Sequence, residues 1–320
     1  TTNPEKSIPR LYPQGLLCYN APAFLPLMEG DQQVMSVHHL RPADEYPRAV
    51  WRVIIHQAAD GAANMAIDEA IAEHVASRLV PPTLRFYAWE PPCLSMGYAQ
   101  PTAEVDFERL RRLGWDVVRR PTGGRAILHT DELTYSVAVP ADDPRVAGGV
   151  VESYRRLAEG LLAGLNVLGA AVRADPAAEN MDDPSSKGPV CFEVPSAYEI
   201  TVEGRKLIGS AQTRRGGNVI LQHGTLPLSG DLGRICDVLV FRDEESRTEA
   251  RRRVLARAIT LEEALRRPVD MAEVIAALMH GFRTALNLEL VESSLTPSEL
   301  SRAADLRASR YASQAWTQRY

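Results

Sequence analysis

From Trp51 onward, apolar residues recur with a regularity that the preceding stretch lacks. "WRVIIH" (51–56) is a short run rich in branched side chains and predicts a strand. "NMAIDEAIAEHVASRL" (64–79) repeats Ile67, Ile71, Val75 and Leu79 at every fourth position and predicts a helix with one buried stripe. "TLRFYAW" (83–89) predicts a second strand, stopped by the breaker "EPP", and "CLSMGYAQ" (93–100) reads as a short third one. Pro101-Thr102 then opens a helix through "EVDFERLRRLG", closed by Gly114. "WDVVRR" (115–120) is a strand entering a glycine turn, and "AILHTDELTYSVAVP" (126–140) holds one or two strands. Val151 to Leu168 predicts a long helix burying Tyr154, Leu157, Leu161, Leu165 and Leu168, with Gly169 as its stop.

A polar loop, "AAENMDDPSSKG" (177–188), separates this half from a run of strand patterns. "AYEITV" (197–202) and "KLIGSAQ" (206–212) flank Glu203-Gly204, a tight-hairpin signal, and "RRGGN" then turns into "VILQHGTLPL" (219–228). Strict alternation puts Lys206, Ile208, Ser210 and Gln212 on one face of their strand and Leu207, Gly209 and Ala211 on the other. The remainder reads as helical. Thr260 with Glu263 reads as a capping box, Asp270 caps a helix carrying Val274, Leu278 and Phe282, and Thr296-Pro297-Ser298-Glu299 is a second box. Strands and helices mix without strict alternation, so the expected class is α+β.

Composition narrows the function classes. The chain of 320 residues is 45% hydrophobic and 24% charged, as a soluble globular protein is, with a net charge of −5. That balance argues against a general nucleic-acid binder, although Arg111–Arg112, Arg119–Arg120, Arg155–Arg156, Arg214–Arg215 and Arg251 to Arg253 form local basic clusters. Most of these are expected on solvated faces, and one could meet an acidic partner. The four cysteines, Cys18, Cys93, Cys191 and Cys236, show neither zinc spacing nor a disulfide framework. No apolar run approaches a membrane span, and the start lacks a secretory pattern, so a reducing cytoplasm is expected, with a monomer as the default state. Residues 1–48 are proline-rich without sustained period and read as a poorly structured N-terminal extension.

Two stretches could carry chemistry. In "RRPTGGRAILH" (119–129), adjacent glycines after a strand let backbone approach a ligand and expose N–H groups, with Arg119, Arg120 and Arg125 adding positive charge. The same pattern also suits an ordinary glycine hairpin with solvated arginines. Cys191 is either a small buried hydrophobe or a nucleophile, and Lys206 is either a solvated residue after a turn or the cation that favours its thiolate. Gly209 would leave room for a substrate against the sheet. His129 could orient the loop or meet the polar end of a bound ligand, whereas His223 in "LQHGT" reads as structural.

Five motifs in order resemble the lipoate–protein ligase and octanoyltransferase superfamily, in its Gram-positive-type octanoyltransferase branch. They are "NMAIDEAI", "LSMGYAQ", "RRPTGGRAILHTDELTYSV", "CFEVPSAYEITVEGRKLIGSAQTRRGGNVILQHGTLPL" and "RYASQAWTQR". The resemblance implies a biotin/lipoate–protein ligase-like catalytic domain over 49–320, with mixed and antiparallel sheets flanked by helices and a C-terminal helical segment. It implies transfer of octanoate from octanoyl-acyl carrier protein to the lysine of a lipoyl domain, such as glycine-cleavage H protein, with no cofactor and no metal. It places the nucleophile on Cys191, the invariant lysine on Lys206, and acyl binding on Arg119, Arg120, Gly123, Gly124, Arg125 and His129, with Gly209 and Ser210 beside them. An ATP-dependent lipoate ligase would lack this cysteine and show a third glycine where Arg125 stands. A lipoyl amidotransferase and a non-enzymatic lipoyl-domain binder are the other readings.

Overall fold

The computed structural model describes residues 46–176 and 198–320. Its elements in chain order are β1 (Ala49–Ile55), α1 (Gly61–Ala76), β2 (Thr83–Tyr87), β3 (Cys93–Met96), α2 (Phe107–Leu113), β4 (Asp116–Arg119), β5 (Ile127–His129), β6 (Glu132–Pro140) and α3 (Val150–Val167). Then follow β7 (Val172–Pro176), β8 (Tyr198–Val202), β9 (Arg205–Arg215), β10 (Val219–Pro227), α4 (Glu244–Arg257), α5 (Leu261–Leu265), α6 (Met271–Ala285), β11 (Leu288–Glu292), α7 (Pro297–Leu306) and α8 (Gln314–Thr317).

An eight-stranded mixed sheet runs β11-β1-β2-β6-β10-β9-β8-β7, and a three-stranded sheet runs β4-β3-β5. The class is α+β, as expected. Strand alternation divides the large sheet into two environments. Leu133, Tyr135, Val137 and Val139 of β6 join Leu84, Phe86, Ile220 and Ile208 in the main core, where Leu157, Leu161, Val274 and Phe282 of α3 and α6 cover them. On the other side α1 and the small sheet cover a face that is partly polar, and the slot described below opens there.

Several boundaries differ from the sequence expectation. Helix α1 starts earlier, because the Asp60 carboxylate accepts the Ala63 N–H at 2.7 Å and so caps it. It stops at Ala76, which leaves Leu79 70% exposed instead of on the buried stripe. Pro101 opens only a 3-10 turn, Thr102–Glu104, and α2 is capped by Asp106. The 126–140 stretch resolves into two strands in different sheets. The C-terminal part is not wholly helical, since β11 pairs parallel to β1 from Ala49↔Leu288 to Val53↔Glu292. Thr296 and Glu299 form the expected capping box, and Asp270 caps α6.

The alternation expected along β9 fails at one point. Thr201 pairs with Lys206 but Ile200 pairs with Ile208, so a bulge inserts one residue. Leu207 and Ile208 both enter the main core. Lys206 therefore shares a face with Gly209, not with Ile208 and Ser210. The correction matters, because that is the face on which the slot opens.

Candidate active site

Between the small sheet and β9–β10 lies a narrow slot of about 30 Å³. Its walls are largely apolar, from Met65, Tyr87, Trp89, Ile127 and Ala211, with bare backbone at Gly209 and Gly224. Arg120, Ser95, His129, Thr134, His223 and Thr225 contribute the polar part of the lining. This lining suits an apolar chain, for which the slot would have to widen, and offers a few fixed donors at defined places.

One buried relay holds the wall beneath the loop. The Glu132 carboxylate accepts from His129 Nδ1 at 2.6 Å and from Thr134 Oγ1 at 2.5 Å, and also from Thr225 Oγ1. His129 Nε2 then takes the Ser95 hydroxyl at 2.8 Å, and Ser95 Oγ accepts Arg120 Nη1 at 3.1 Å. The Trp89 indole stacks on the His129 ring with centroids 4.0 Å apart and donates Nε1–H to Thr134 Oγ1 at 2.8 Å. Every polar group in this wall has a partner, which makes it rigid.

Arg120 also sets the loop. Its guanidinium donates to the Gly123 carbonyl at 2.8 Å and the Arg125 carbonyl at 2.7 Å, while the Tyr98 N–H donates to the Thr122 carbonyl at 2.9 Å. Three carbonyls are thus held from behind. Among the described residues no acceptor meets the N–H groups of Gly123 or Gly124. Gly124 has φ +89° and lines both the slot and an open groove formed with Tyr98, Gln100, Gly123 and Arg125. Gly124 thus stands where slot and groove meet.

A second polar cluster lies behind the slot around Asp68, which is fully buried. Its carboxylate accepts from Arg85 Nη1 at 2.7 Å, Tyr87 Oη at 2.8 Å, Ser136 Oγ at 2.8 Å and His223 Nδ1 at 3.4 Å. Burial raises this carboxyl, but Arg85 and His223 outweigh that and hold it lowered, at about 2. Burial lowers the His223 imidazole, and Asp68 only partly offsets it, so the ring is kept neutral.

The structure brings together five of the residues singled out in sequence: Arg120, Gly124, His129, Gly209 and Ser210 line the slot. Ser210 does so by its backbone edge, since its Oγ bonds Tyr135 Oη at 2.8 Å on the core side. Gly123 and Arg125 line the outer groove, and Arg125 pairs with Glu104 at 3.2 Å. Arg119 stands apart. Neither solvated nor at the slot, it is fully buried and donates to the carbonyls of Gly97, Gln100 and Thr317 at 2.8, 2.7 and 3.0 Å, tying β4 to the C-terminus. Lys206 is also buried, with Nζ 2.9 Å from Glu199 Oε1, and it does not line the slot. Cys191 lies outside the described residues. Sequence reasoning missed Asp68, Ser95, Thr122, Glu132 and Trp89. The available signal was polar alternation on β6, where Glu132, Thr134 and Ser136 interleave with Leu133, Tyr135 and Val137.

Residues 60–283 match the lipoyl protein ligase A/B catalytic domain. Octanoyltransferase LipM of Brevibacillus brevis is 41% identical over 275 residues, covering 84% of this chain and 99% of the relative. The LipM of Symbiobacterium thermophilum is 43% identical over 272 residues, with 84% and 98% covered. Among solved structures, a lipoate-protein ligase A bound with ATP superposes with a TM-score of 0.68 at 26% identity, over 84% of this chain and 99% of that one. A bi-partite lipoate protein ligase of Thermoplasma acidophilum shares the fold, with a TM-score of 0.70 at 24% identity over 84% and 96%. The chain belongs to the lipoyl protein ligase A/B catalytic-domain family and, within it, to the LipM octanoyltransferases.

Proposed function

We infer that this chain moves an octanoyl group from acyl carrier protein to the lysine of a lipoyl domain, such as glycine-cleavage H protein, in lipoate biosynthesis. The observation that carries the reading, beside the similarity to octanoyltransferases, is an apolar slot edged by Gly124, whose N–H meets no acceptor among the described residues. An octanoyl tail adds about seven carbons beyond its carbonyl, and burying them at ~0.8 kcal/mol per methylene gives binding without a large polar site.

In the first step the Cys191 thiolate attacks the thioester carbonyl carbon. A new C–S bond forms, the bond to the carrier's thiol breaks, and that sulfur leaves as a thiolate that takes up a proton. The Gly123–Gly124 amides hold the oxygen as it gains charge, an effect for which one donor is typically worth roughly 2.7–4 kcal/mol. In the second step the acceptor lysine amine attacks the octanoyl-Cys191 thioester. A C–N bond forms, the C–S bond breaks, and the proton lost by the amine returns to the cysteine sulfur, directly or by way of Lys206. Lys206 supplies positive charge that favours the thiolate. Passing from thioester to amide is downhill, so the sequence of steps needs no nucleotide. Residues 49–320 act as one catalytic domain, as a monomer in the cytoplasm, and residues 1–48 precede it as an extension.

The test is transfer to an apo lipoyl domain from octanoyl-acyl carrier protein with ATP withheld. Acceptor octanoylation without ATP supports the reading. Modification only with ATP and free acid would make the chain a ligase, and transfer only from an already octanoylated lipoyl domain would make it an amidotransferase.

A further inference from the structure

The Asp68 cluster touches no reacting group in the scheme above, yet it ends at the glycine loop. His223 sits on β10 opposite Ser136 and Ala211, so its ring projects from the slot face of the sheet toward the loop. Nδ1 faces the Asp68 carboxylate at 3.4 Å and Nε2 faces Thr122 Oγ1 at 2.7 Å. The ionised carboxylate fixes the tautomer: Nδ1 carries the proton, and Nε2 accepts from the Thr122 hydroxyl. Thr122 is fully buried and is followed directly by Gly123 and Gly124. Its carbonyl is already held by the Tyr98 N–H. The hydroxyl bond to His223 is the second restraint on this residue, and it reaches the loop from the large sheet while Tyr98 and Arg120 act from the small-sheet side.

We propose that Asp68, His223 and Thr122 form a positioning relay that locks the Gly123–Gly124 amides in the orientation octanoyl transfer requires. The three residues do not exchange protons with the substrate. Asp68 fixes the imidazole, the imidazole fixes Thr122, and Thr122 fixes the loop. The cluster is anchored independently, because Arg85 also donates Nη2 to Asn64 Oδ1 at 2.8 Å and Nε to His56 Nδ1 at 2.9 Å. The frame behind His223 therefore persists when the last link is cut. This inference rests on the transferase reading for its kinetic consequence, but not for its structural one.

The experiment compares wild type with Thr122→Val, Thr122→Ser and His223→Gln. Valine keeps the volume of threonine and removes the hydroxyl, serine restores the hydroxyl, and glutamine can present an acceptor near the Nε2 position. With octanoyl-acyl carrier protein and an apo lipoyl domain, Thr122→Val is expected to lower kcat about 10- to 100-fold with KM changed less than about threefold, since a loosened oxyanion donor acts in the transition state. Thr122→Ser should recover most of that loss and His223→Gln part of it. Amide hydrogen exchange at Gly123 and Gly124 should quicken in Thr122→Val and return in Thr122→Ser. Loop exchange identical in wild type and Thr122→Val overturns the relay whether or not transfer is observed. A kcat loss that serine does not rescue, or one that only follows a fall in Tm, overturns it too. A wild type that transfers nothing but shows the exchange pattern would retain the relay and remove the transferase reading.

Discussion

Replacing Gly97 by alanine tests whether the loop's position is what the reaction depends on. Gly97 directly follows β3, with its N–H donating to Gln100 Oε1 at 3.2 Å and its carbonyl accepting from Arg119 Nη1 at 2.8 Å, so it cannot swing away freely. A Cβ built there would overlap the Gly124 carbonyl oxygen and stand 2.8 Å from its carbon. Ordinary non-bonded contact is about 3.5 Å, so relieving the oxygen overlap makes the loop retreat by more than about 1 Å. Overpacking of this kind costs roughly 1–3 kcal/mol, or roughly 2–12 °C in Tm for a domain of this size. A misplacement of about 1 Å at a reacting centre costs about 100-fold in rate, so activity should fall much further than stability. Gly281→Ala is the control, because its Cβ would overlap the Gly160 carbonyl oxygen in the α3–α6 contact, on the other side of the large sheet from the slot. Steady-state transfer and thermal melts on both variants decide the matter. Similar Tm losses with a large kcat/KM loss only in Gly97→Ala are expected. A Gly97→Ala protein within about threefold of wild type would refute the reasoning.

Three further outcomes follow. Cys93 is fully buried, and burial, with Asp116 and Asp60 behind it, pushes its thiol well up. Iodoacetamide on the native protein should therefore leave Cys93 and buried Cys236 unlabelled and alkylate Cys191, and mapping by peptide mass would show any reversal. Stability should fall with acid in two stages. Burial and then the Arg85 charge lower His56 to about 4, and burial lowers His223, so both bind protons more readily unfolded; their contribution is whole above about pH 6.5 and drains as pH falls. Asp68, lowered to about 2, adds about 2 kcal/mol that is lost between about pH 4 and pH 2. Urea midpoints against pH should show both stages, and His56→Asn, which keeps an acceptor for Arg85, should flatten the first; an unchanged slope would contradict the assignment. Lys206→Met removes one partner of the Glu199 carboxylate and the positive charge beside it. Transfer should fall more than tenfold and iodoacetamide should label Cys191 more slowly; an unaltered labelling rate would take Lys206 out of thiolate activation.

Elements with a clean period were readable from the chain, and the site was readable only where a motif marked it. The β8–β9 hairpin announces itself through Glu203-Gly204, whose φ values of 52° and 75° are those of the expected tight turn. The bulge at Leu207 leaves no such mark, because one extra apolar residue in "KLIG" keeps both neighbours looking core-like, and Lys206 was placed on the wrong face as a result. Arg119 and Arg120 look equivalent in sequence, yet the first is buried on the carbonyls of Gly97, Gln100 and Thr317 and the second lines the slot, as alternation carried one residue past β4 requires. The alternation of Glu132, Thr134 and Ser136 with apolar neighbours does not by itself reveal that a second layer covers them. Asp68 was hidden for a related reason. Helix α1 is buried on most sides, so an acid there carries no amphipathic contrast.

The central claim is a covalent octanoyl-enzyme on Cys191, and intact-mass spectrometry tests it most directly. The purified chain is mixed with octanoyl-acyl carrier protein, without ATP and without an acceptor. A single octanoyl adduct that maps to Cys191, is removed by hydroxylamine, and discharges onto an apo lipoyl domain is the predicted result. An unmodified Cys191, in a protein that still octanoylates the lipoyl domain, would contradict the account.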